Sequence, residues 1–469
     1  QVAGLVYAGG AIGAVLAGDY LTLFVFWEVT AIASVFLVWA SRTERSYRSG
    51  IRYVTVQLLS GVLLLMGGLV LYSESGSLRF ENVGLNGVGG WLIFIAMGIK
   101  CAFPLMHNWL QDAYPEATET GTVFLSAFTT KLAIYALARG FAGTEELIWI
   151  GAVMTAFPIF YAVIENDLRR VLAYSLNNQL GFMVVGIGIG TELALNGTAA
   201  HAFCHILYKA LLFMSMGAVL HRVGTVNGSA LGGLYKSMPW TAGFCIVGAA
   251  SISAFPLFSG FVSKSLIISA VAIEGHYWVW AILLFASAGV FHHSGIKIPY
   301  FAFFAHDSGI RCKEAPSNML VAMGIAAAFC IGIGVFPAGL YALLPFDVDY
   351  EPYTAAHVLT QMQLLIFSAL AFSVLMWYRI YPPELPSVNL DTDYVYRRIA
   401  PAVVRVGTTV LASVRGQATH ATFSALHGIA GLSQRYFGAG GMFSRTLSTS
   451  TMVVIVTMML GLSLVLFYR

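Results

Sequence analysis

Five ionisable residues sit inside apolar segments of this chain. They are Glu28 in YLTLFVFWEVTAIASVFLVW, Lys100 in LIFIAMGIKCAFPLMHNWL, Lys131 in FLSAFTTKLAIYALA, Lys209 in HAFCHILYKALLFMSMGAVL and Lys264 in SISAFPLFSGFVSKSLIISAV. A charge at bilayer depth costs at least ~2.5–3.5 kcal/mol on insertion scales. Groups placed against that cost point to the binding and passing of protons or cations. Glu28 has no cation near it in sequence, and Lys100 is its candidate partner. Burial disfavours a lone charge and a nearby opposite charge restores it. A carboxylate that moves relative to a buried lysine therefore switches that lysine between holding and releasing a proton. The plainer alternative is a static buried ion pair.

His201, His205 and Lys209 recur at i, i+4 and i+8, one polar stripe on an apolar helix. Histidine changes charge near neutral pH, so such a stripe can relay protons. HxxxH spacing also suits zinc, but no third ligand is evident and the expectation is no metal. Interhelical hydrogen bonding is the structural alternative. Ser175, Asn177, Asn178, Gln179 and Tyr208 add polar groups that can order water. Lys131 reads as a relay between Lys100 and the stripe, or as a lysine snorkelling to an interface. Lys264 reads as the terminal site and the counterpart of Lys100. His292, His293 and Lys297 form a further polar cluster that serves an exit or only packing, while His107, Asp112 and Glu116 are expected near the membrane surface, shaping an inlet. Asp167, Arg169 and Arg170 fit a turn held by a salt bridge.

The elements that must position these groups are membrane helices. The chain is 58% hydrophobic and 10% charged over 469 residues, where a soluble domain carries about 25% charge. The net charge is only +3, with no basic patch for nucleic acid. The five cysteines form no CxxC pair, and no glycine-rich nucleotide loop, nucleophile elbow or cofactor motif is present. No cofactor is expected. A span needs about 20 apolar residues, and about thirteen candidates fit: 2–17, 20–40, 51–72, 88–111, 119–139, 147–165, 168–190, 194–221, 241–272, 276–304, 318–341, 354–379 and 449–468. Arg42, Arg45, Arg48, Arg52, Arg169, Arg170, Arg222, Lys236, Arg311, Lys313 and Arg379 all follow even-numbered spans. One side thus receives nearly all basic loops, and that side is expected to be cytoplasmic.

Two spans carry breaks at mid-depth. Pro104 follows Lys100, and Pro256 and Gly260 precede Lys264. Proline interrupts helices, and broken membrane helices line cavities or meet protein. CAFPLMHNW and SAFPLFSGF share an AFPL core in spans five helices apart, which supports inverted five-helix repeats. The expected organisation is an all-α polytopic membrane protein. Repeats occupy 1–140 and 141–305, additional spans 306–381, a linker and amphipathic lateral helix 382–448, and an anchor helix 449–469.

FWE in the second span, GIKCAFPLMHNWLQDAYPEA in the fourth, HAFCHILYKALLF in the eighth and FPLFSGFVSKS in the ninth resemble the antiporter-like subunits. These occur in complex I, membrane-bound hydrogenases and Mrp-type cation/proton antiporters. The match covers most of 1–305 and is nearest to the D-type member of the Mrp antiporters. FHHSGIKIPYFAFF fits the Mrp-like and hydrogenase-linked relatives. The resemblance implies Glu28 and Lys100 as the charge pair of one half-channel, Lys131 as connecting lysine, His201, His205 and Lys209 as central relay, and Lys264 as terminal site. It also implies about three further helices before the first span, so the N-terminus reads as incomplete. The expected function is proton and monovalent cation (Na+) translocation in a multisubunit antiporter, beside other membrane subunits in a bacterial inner membrane. The alternatives are the proton pump of a redox complex, or a scaffold with vestigial channel residues.

Overall fold

Apolar runs become helices here because a backbone in lipid must satisfy its own hydrogen bonds. In chain order they are α1 (Val2–Val15), α2 (Tyr20–Trp39), α3 (Glu44–Ser75), α4 (Gly87–Cys101), α5 (Asn108–Ala113), α6 (Gly121–Ala127), α7 (Thr129–Phe141), α8 (Glu145–Ile164), α9 (Leu168–Ile189), α10 (Glu192–Val223), α11 (Pro239–Ile252), α12 (Ser259–Ile273), α13 (Tyr277–Val290), α14 (Ser317–Val335), α15 (Ala338–Tyr341), α16 (Ala355–Trp377), α17 (Ala400–Phe437) and α18 (Thr449–Phe467). This computed structural model describes residues 1–386 and 389–468. Among the described residues, nine helical segments are long and apolar enough to cross a membrane, and α1, α4, α11 and α12 are shorter apolar helices. Of the remaining expected spans, α9 has 22 residues, nearly all of them buried, which accommodates its polar Ser175, Asn177, Asn178 and Gln179.

The two AFPL phrases fold alike. Ala102 and Leu105 have φ of 63° and 70°, and Ala254 and Leu257 have φ of 57° and 73°. Non-glycine residues rarely take this conformation. The hydrogen bonds match as well: Ala102 N donates to Ile99 O and Phe103 N to Gly98 O, while Ala254 N donates to Ser251 O and Phe255 N to Ala250 O. Each break ends one half-helix (α4, α11) and starts another (α5, α12). Gly260 lies in the first turn of α12, where a Cβ would collide with Ser251 O.

A second correspondence flanks α2 and α9. Asp19 caps α2 and bridges Arg79, and Asp167 caps α9 and bridges Asn227. The end of α2 leads to Arg42 and Arg45, whereas α9 begins at Arg169 and Arg170. Arg45 pairs with Glu116 at 2.8 Å, and Arg169 donates to Pro115 O at 2.9 Å and Ala117 O at 2.9 Å. Both ends therefore share the basic-loop face, and the matching helices run in opposite directions. Arg169 holds carbonyls of the 115–118 turn and the Asp167 carboxylate caps α9, so among the described residues no contact salt bridge joins Asp167 to Arg169 or Arg170.

α8 and α9 touch backbone to backbone. A Cβ on Gly151 would lie 2.6 Å from Val185 N, and one on Gly181 2.6 Å from Thr155 N. Neither neighbour is a flexible side chain, so Gly181→Ala should destabilise the detergent-solubilised protein by about 1–3 kcal/mol, as overpacking does. An unchanged thermal melt would contradict this packing.

The first compact unit runs from Gln1 to Thr392, and the second starts at Asp393. In the second unit the backbone is π-helical over Val395–Ile399, then α-helical through the 38 residues of α17. No residue of α17 or α18 is buried. Residues 382–386 and 389–392, read from sequence as linker, belong to the first unit, where Glu384, Asn389, Asp391 and Thr392 bond to its helices and loops.

Candidate ion-translocation site

Lys100, at the end of α4, is fully buried. Its ammonium donates to Trp27 O and Thr30 Oγ1, each at 3.0 Å, and lies 4.2 Å from the Trp27 ring centre. Trp27 Nε1 in turn donates to Ser60 Oγ at 2.9 Å, which donates to Ala96 O at 2.7 Å. These bonds join α2, α3 and α4. Glu28 is one residue from this point, half-buried, and its Oε1 has no hydrogen-bond partner among the described residues. Its carboxylate abuts Gly61, where a Cβ would overlap it. Glu28 and Lys100 form no contact ion pair among the described residues, but each feels the other's charge. The expected pair is thus separated. The Trp27 carbonyl and the Thr30 hydroxyl hold the ammonium in place of Glu28.

Lys131 follows a discontinuity between α6 and α7 at Phe128 (φ −105°, ψ −60°). Its ammonium donates to Ser126 O at 2.6 Å, a carbonyl on the other side of that discontinuity. Lys131 is buried rather than snorkelling, and it lines a cavity of ≈ 420 Å³ with Arg139 and Thr198.

All three stripe residues on α10 are fully buried, but they divide in their bonding. His201 Nδ1 lies 3.1 Å from Ser263 Oγ and its Nε2 3.2 Å from Gln179 Oε1. Tyr208 OH also donates to Gln179 Oε1 at 3.2 Å. Among the described residues His205 has no hydrogen-bond partner at either ring nitrogen, nor has Lys209 at its ammonium. His205 lies within electrostatic reach of Lys131, Lys209, His201 and Lys264. Among the described residues, no group of three His, Cys, Asp or Glu could hold a metal ion.

Lys264 on α12 donates across the second break to Ile252 O at 3.1 Å. Aligning the AFPL phrases places Lys100 opposite Ile252, so the two lysines occupy different half-helices of related spans. Lys264 opens onto a cavity of ≈ 400 Å³ lined by Ser265, Ser269, Glu351, His357 and Gln361. His357 stacks on Phe261 with ring centres 4.4 Å apart.

At the basic-loop face, His107 is buried rather than at the surface. Its Nε2 is 3.3 Å from Asp391 Oδ2, to which Tyr174 OH donates at 2.8 Å. Thr392 Oγ1 donates to Asn108 Oδ1. Asp112 pairs with Arg52 at 2.6 Å. The end of the tenth span is π-helical over Phe291–Lys297. Its His293 Nδ1 meets Ser294 Oγ at 2.9 Å, and Ser294 Oγ donates to Ser175 Oγ at 2.8 Å. His292 packs against Phe372 and Tyr381. Lys297 is paired with Glu384 at 2.9 Å.

The family described as NADH:quinone oxidoreductase/Mrp antiporter, TM, matches residues 17–291, more than half of the chain. The chain belongs to that family. It is 29% identical over 367 residues to the D-type member of the Na+/H+ antiporter of Alkalihalophilus pseudofirmus, covering 73% of this chain and 74% of the relative. It is 30% identical over 373 residues to NADH-quinone oxidoreductase subunit N of Desulforudis audaxviator, covering 72% and 73%. The fold is like that of a chain in the membrane-bound sulfane sulfur reductase, an archaeal respiratory membrane complex, with TM-score 0.69 at 22% identity, covering 97% of this chain and 83% of that one.

In this member of the antiporter family several groups escape a reading of sequence. Thr30 is an ordinary polar residue whose role appears only when helices meet, and Gln179, read from sequence as a water-ordering group, instead meets His201 and Tyr208 directly. Glu384 and Asp391 lie in a segment that looks like linker, and the one available signal was their acidity beside a basic face. Burial raises the Asp391 carboxyl, but bonds with His107, the Thr392 amide and Tyr174 outweigh it and hold the group below its ordinary value. The docking this carboxylate supplies is complete above the ordinary Asp value of about 3.9 and is lost as pH falls through the lowered folded value. Amides of residues 389–392 should therefore be protected from hydrogen exchange at neutral pH and exchange freely only in stronger acid. Asp391→Asn should weaken that docking by about 1.5–3 kcal/mol. Equal protection in the variant would contradict it.

Proposed function

We propose that this chain is the proton-translocating subunit of a multisubunit monovalent cation/proton antiporter, with Na+ as the expected cation. The observation that carries this reading is the succession of buried lysines through the bundle. Lys100 on α4, Lys131 on α7, Lys209 on α10 and Lys264 on α12 are buried, His205 and His201 lie within electrostatic reach of Lys131 and Lys264, and Glu28 stands beside Lys100. Charges kept in so dry a region serve transport better than stability.

In this reading Glu28 sets the charge state of Lys100, since their separation leaves the carboxylate free to approach or withdraw. Lys131 passes the proton to His205 and Lys209. Rotation of those side chains, or intervening water, bridges the gaps. His201 and Ser263 deliver it to Lys264, whose cavity with Glu351 and His357 forms the outward route. His107 and Asp112 flank the inlet. The subunit moves ions rather than catalysing a reaction. Its two inverted repeats are taken as 1–140 and 141–305. Extra spans at 306–381, the lateral helix within 382–448 and the anchor from 449 provide contacts to other membrane subunits. Its basic loops face the cytoplasm across a bacterial inner membrane.

The identity to a quinone oxidoreductase subunit supports a second reading, the proton-pumping subunit of a redox complex. Co-purification separates the two: hydrophilic iron–sulfur subunits in the isolated complex would overturn the antiporter reading. A scaffold role would leave the buried lysines dispensable. In inverted vesicles, Lys100→Ala and Lys264→Ala should each reduce cation-driven proton movement to background while the complex assembles. Unchanged transport in both variants would refute the axis.

A further inference from the structure

Away from the central axis, the ammonium of Lys297 sits in a cage of four oxygens. Three are main-chain carbonyls at the end of α8: Ala162 O at 3.2 Å, Val163 O at 2.7 Å and Glu165 O at 2.6 Å. The fourth is Glu384 Oε1 at 2.9 Å. The Lys297 and Glu384 side chains are 0% and 4% exposed, so the cage is dry. The last carbonyls of a helix lack intrahelical donors and carry the negative end of its dipole. Rings of carbonyl oxygens replace the hydration shell of monovalent cations, and helix C-terminal ends hold Na+ in membrane transporters. One carboxylate balances one positive charge. A divalent ion would call for more.

Charged and titratable groups face Lys297 from three elements. Glu384 comes from the segment after α16, Glu165 from the end of α8, and His292 and His293 from the π-helical turns that carry Lys297. The Glu165 carboxylate is engaged elsewhere, accepting from the Asn166 and Asp167 amides and from Asn389. Among the described residues His293 Nε2 has no hydrogen-bond partner, and His293 lies within electrostatic reach of both Lys297 and Lys209. The π-helical backbone widens the turn here, as it often does at functional sites.

We propose that this cage is a monovalent-cation site in which the Lys297 ammonium is the tethered occupant, and that a free Na+ or K+ ion replaces it when Lys297 gives up its proton. The proposal rests on the antiporter reading and supplies its cation site. In the exchange, Lys297 transfers one proton to Nε2 of His293 and becomes a neutral amine. Its flexible stem withdraws, and one cation enters among the same four oxygens. The cage keeps one positive charge throughout. One proton moves on toward Lys209 for each cation bound, and nothing is oxidised or reduced.

The test uses the intact complex in detergent, with Na+ or K+ as probe, reading both equilibrium cation binding and proton release. Wild type should release about one proton per cation bound. Glu384→Gln should raise the half-saturating cation concentration about tenfold or more, as loss of a charged ligand does. Lys297→Ala should bind cation with no proton release. Should Glu384→Gln fail to assemble, Glu384→Asp keeps the charge and must shift the Na+/K+ preference. Unchanged half-saturation and preference in the Glu384 variants, or wild-type proton release from Lys297→Ala, overturns the cation site. If Lys100→Ala still abolishes transport in that case, the antiporter reading survives. Absence of any cation-linked proton movement in wild type overturns both.

Discussion

Four buried ammonium groups of this bundle find oxygen, and most of that oxygen is main-chain. Lys100 takes Trp27 O, Lys131 takes Ser126 O, Lys264 takes Ile252 O, and Lys297 takes three carbonyls at the end of α8. Lysine offers three donors and no acceptor, and burying it unpaired carries a large penalty. An unbroken helix spends its carbonyls on its own amides. Three of these four lysines therefore meet carbonyls at a discontinuity or a helix end, and the fourth shares a carbonyl with the Thr30 hydroxyl. For those three, the breaks and helix ends supply the oxygen, whereas Lys209, on unbroken α10, has no hydrogen-bond partner among the described residues.

Carbonyl coordination also bears on dynamics. A contact ion pair would lock a lysine to one carboxylate, but a carbonyl carries no net charge and does not fix the protonation state so firmly. Glu28 stands beside Lys100 without touching it, so its influence is electrostatic and sensitive to small displacements. His205 and Lys209, lacking partners at the centre, are the groups with most freedom to reorient. Lys297 is the exception, with both carbonyls and a carboxylate, which is why its cage resembles an ion site more than a relay station.

Local patterns account for what was legible in advance. AFPL encodes the same pair of left-handed residues twice, since proline removes a donor and the turn it forces is local. The breaks at Pro104 and Pro256, the stripe on α10 and the lysines' depth could all be read from neighbours within a turn or two. The partners could not. Carbonyls are present at every position, so nothing marks Trp27 O or Ser126 O as special. Glu384 lies 87 residues from Lys297, and Asp391 is 284 residues from His107. In both cases the joining segment reads as polar linker, because the partners that bury its Glu384 and Asp391 carboxylates, Lys297, His107 and Tyr174, are distant in sequence.

By itself the sequence determined that this is a helical membrane protein of the antiporter family, with ionisable residues inside apolar helices and two related broken spans. Hydropathy, proline chemistry and helical periodicity are short-range properties that a chain carries wherever it folds. Tertiary structure alone decided that Glu28 and Lys100 stay apart, that Lys100 and Lys264 lie on opposite sides of their breaks, and that a presumed linker supplies Glu384 and Asp391 to the buried interior. Those outcomes depend on which helix ends converge, and the strength of a buried charge's interactions depends on distance and solvent exclusion, quantities that exist only after the helices have packed.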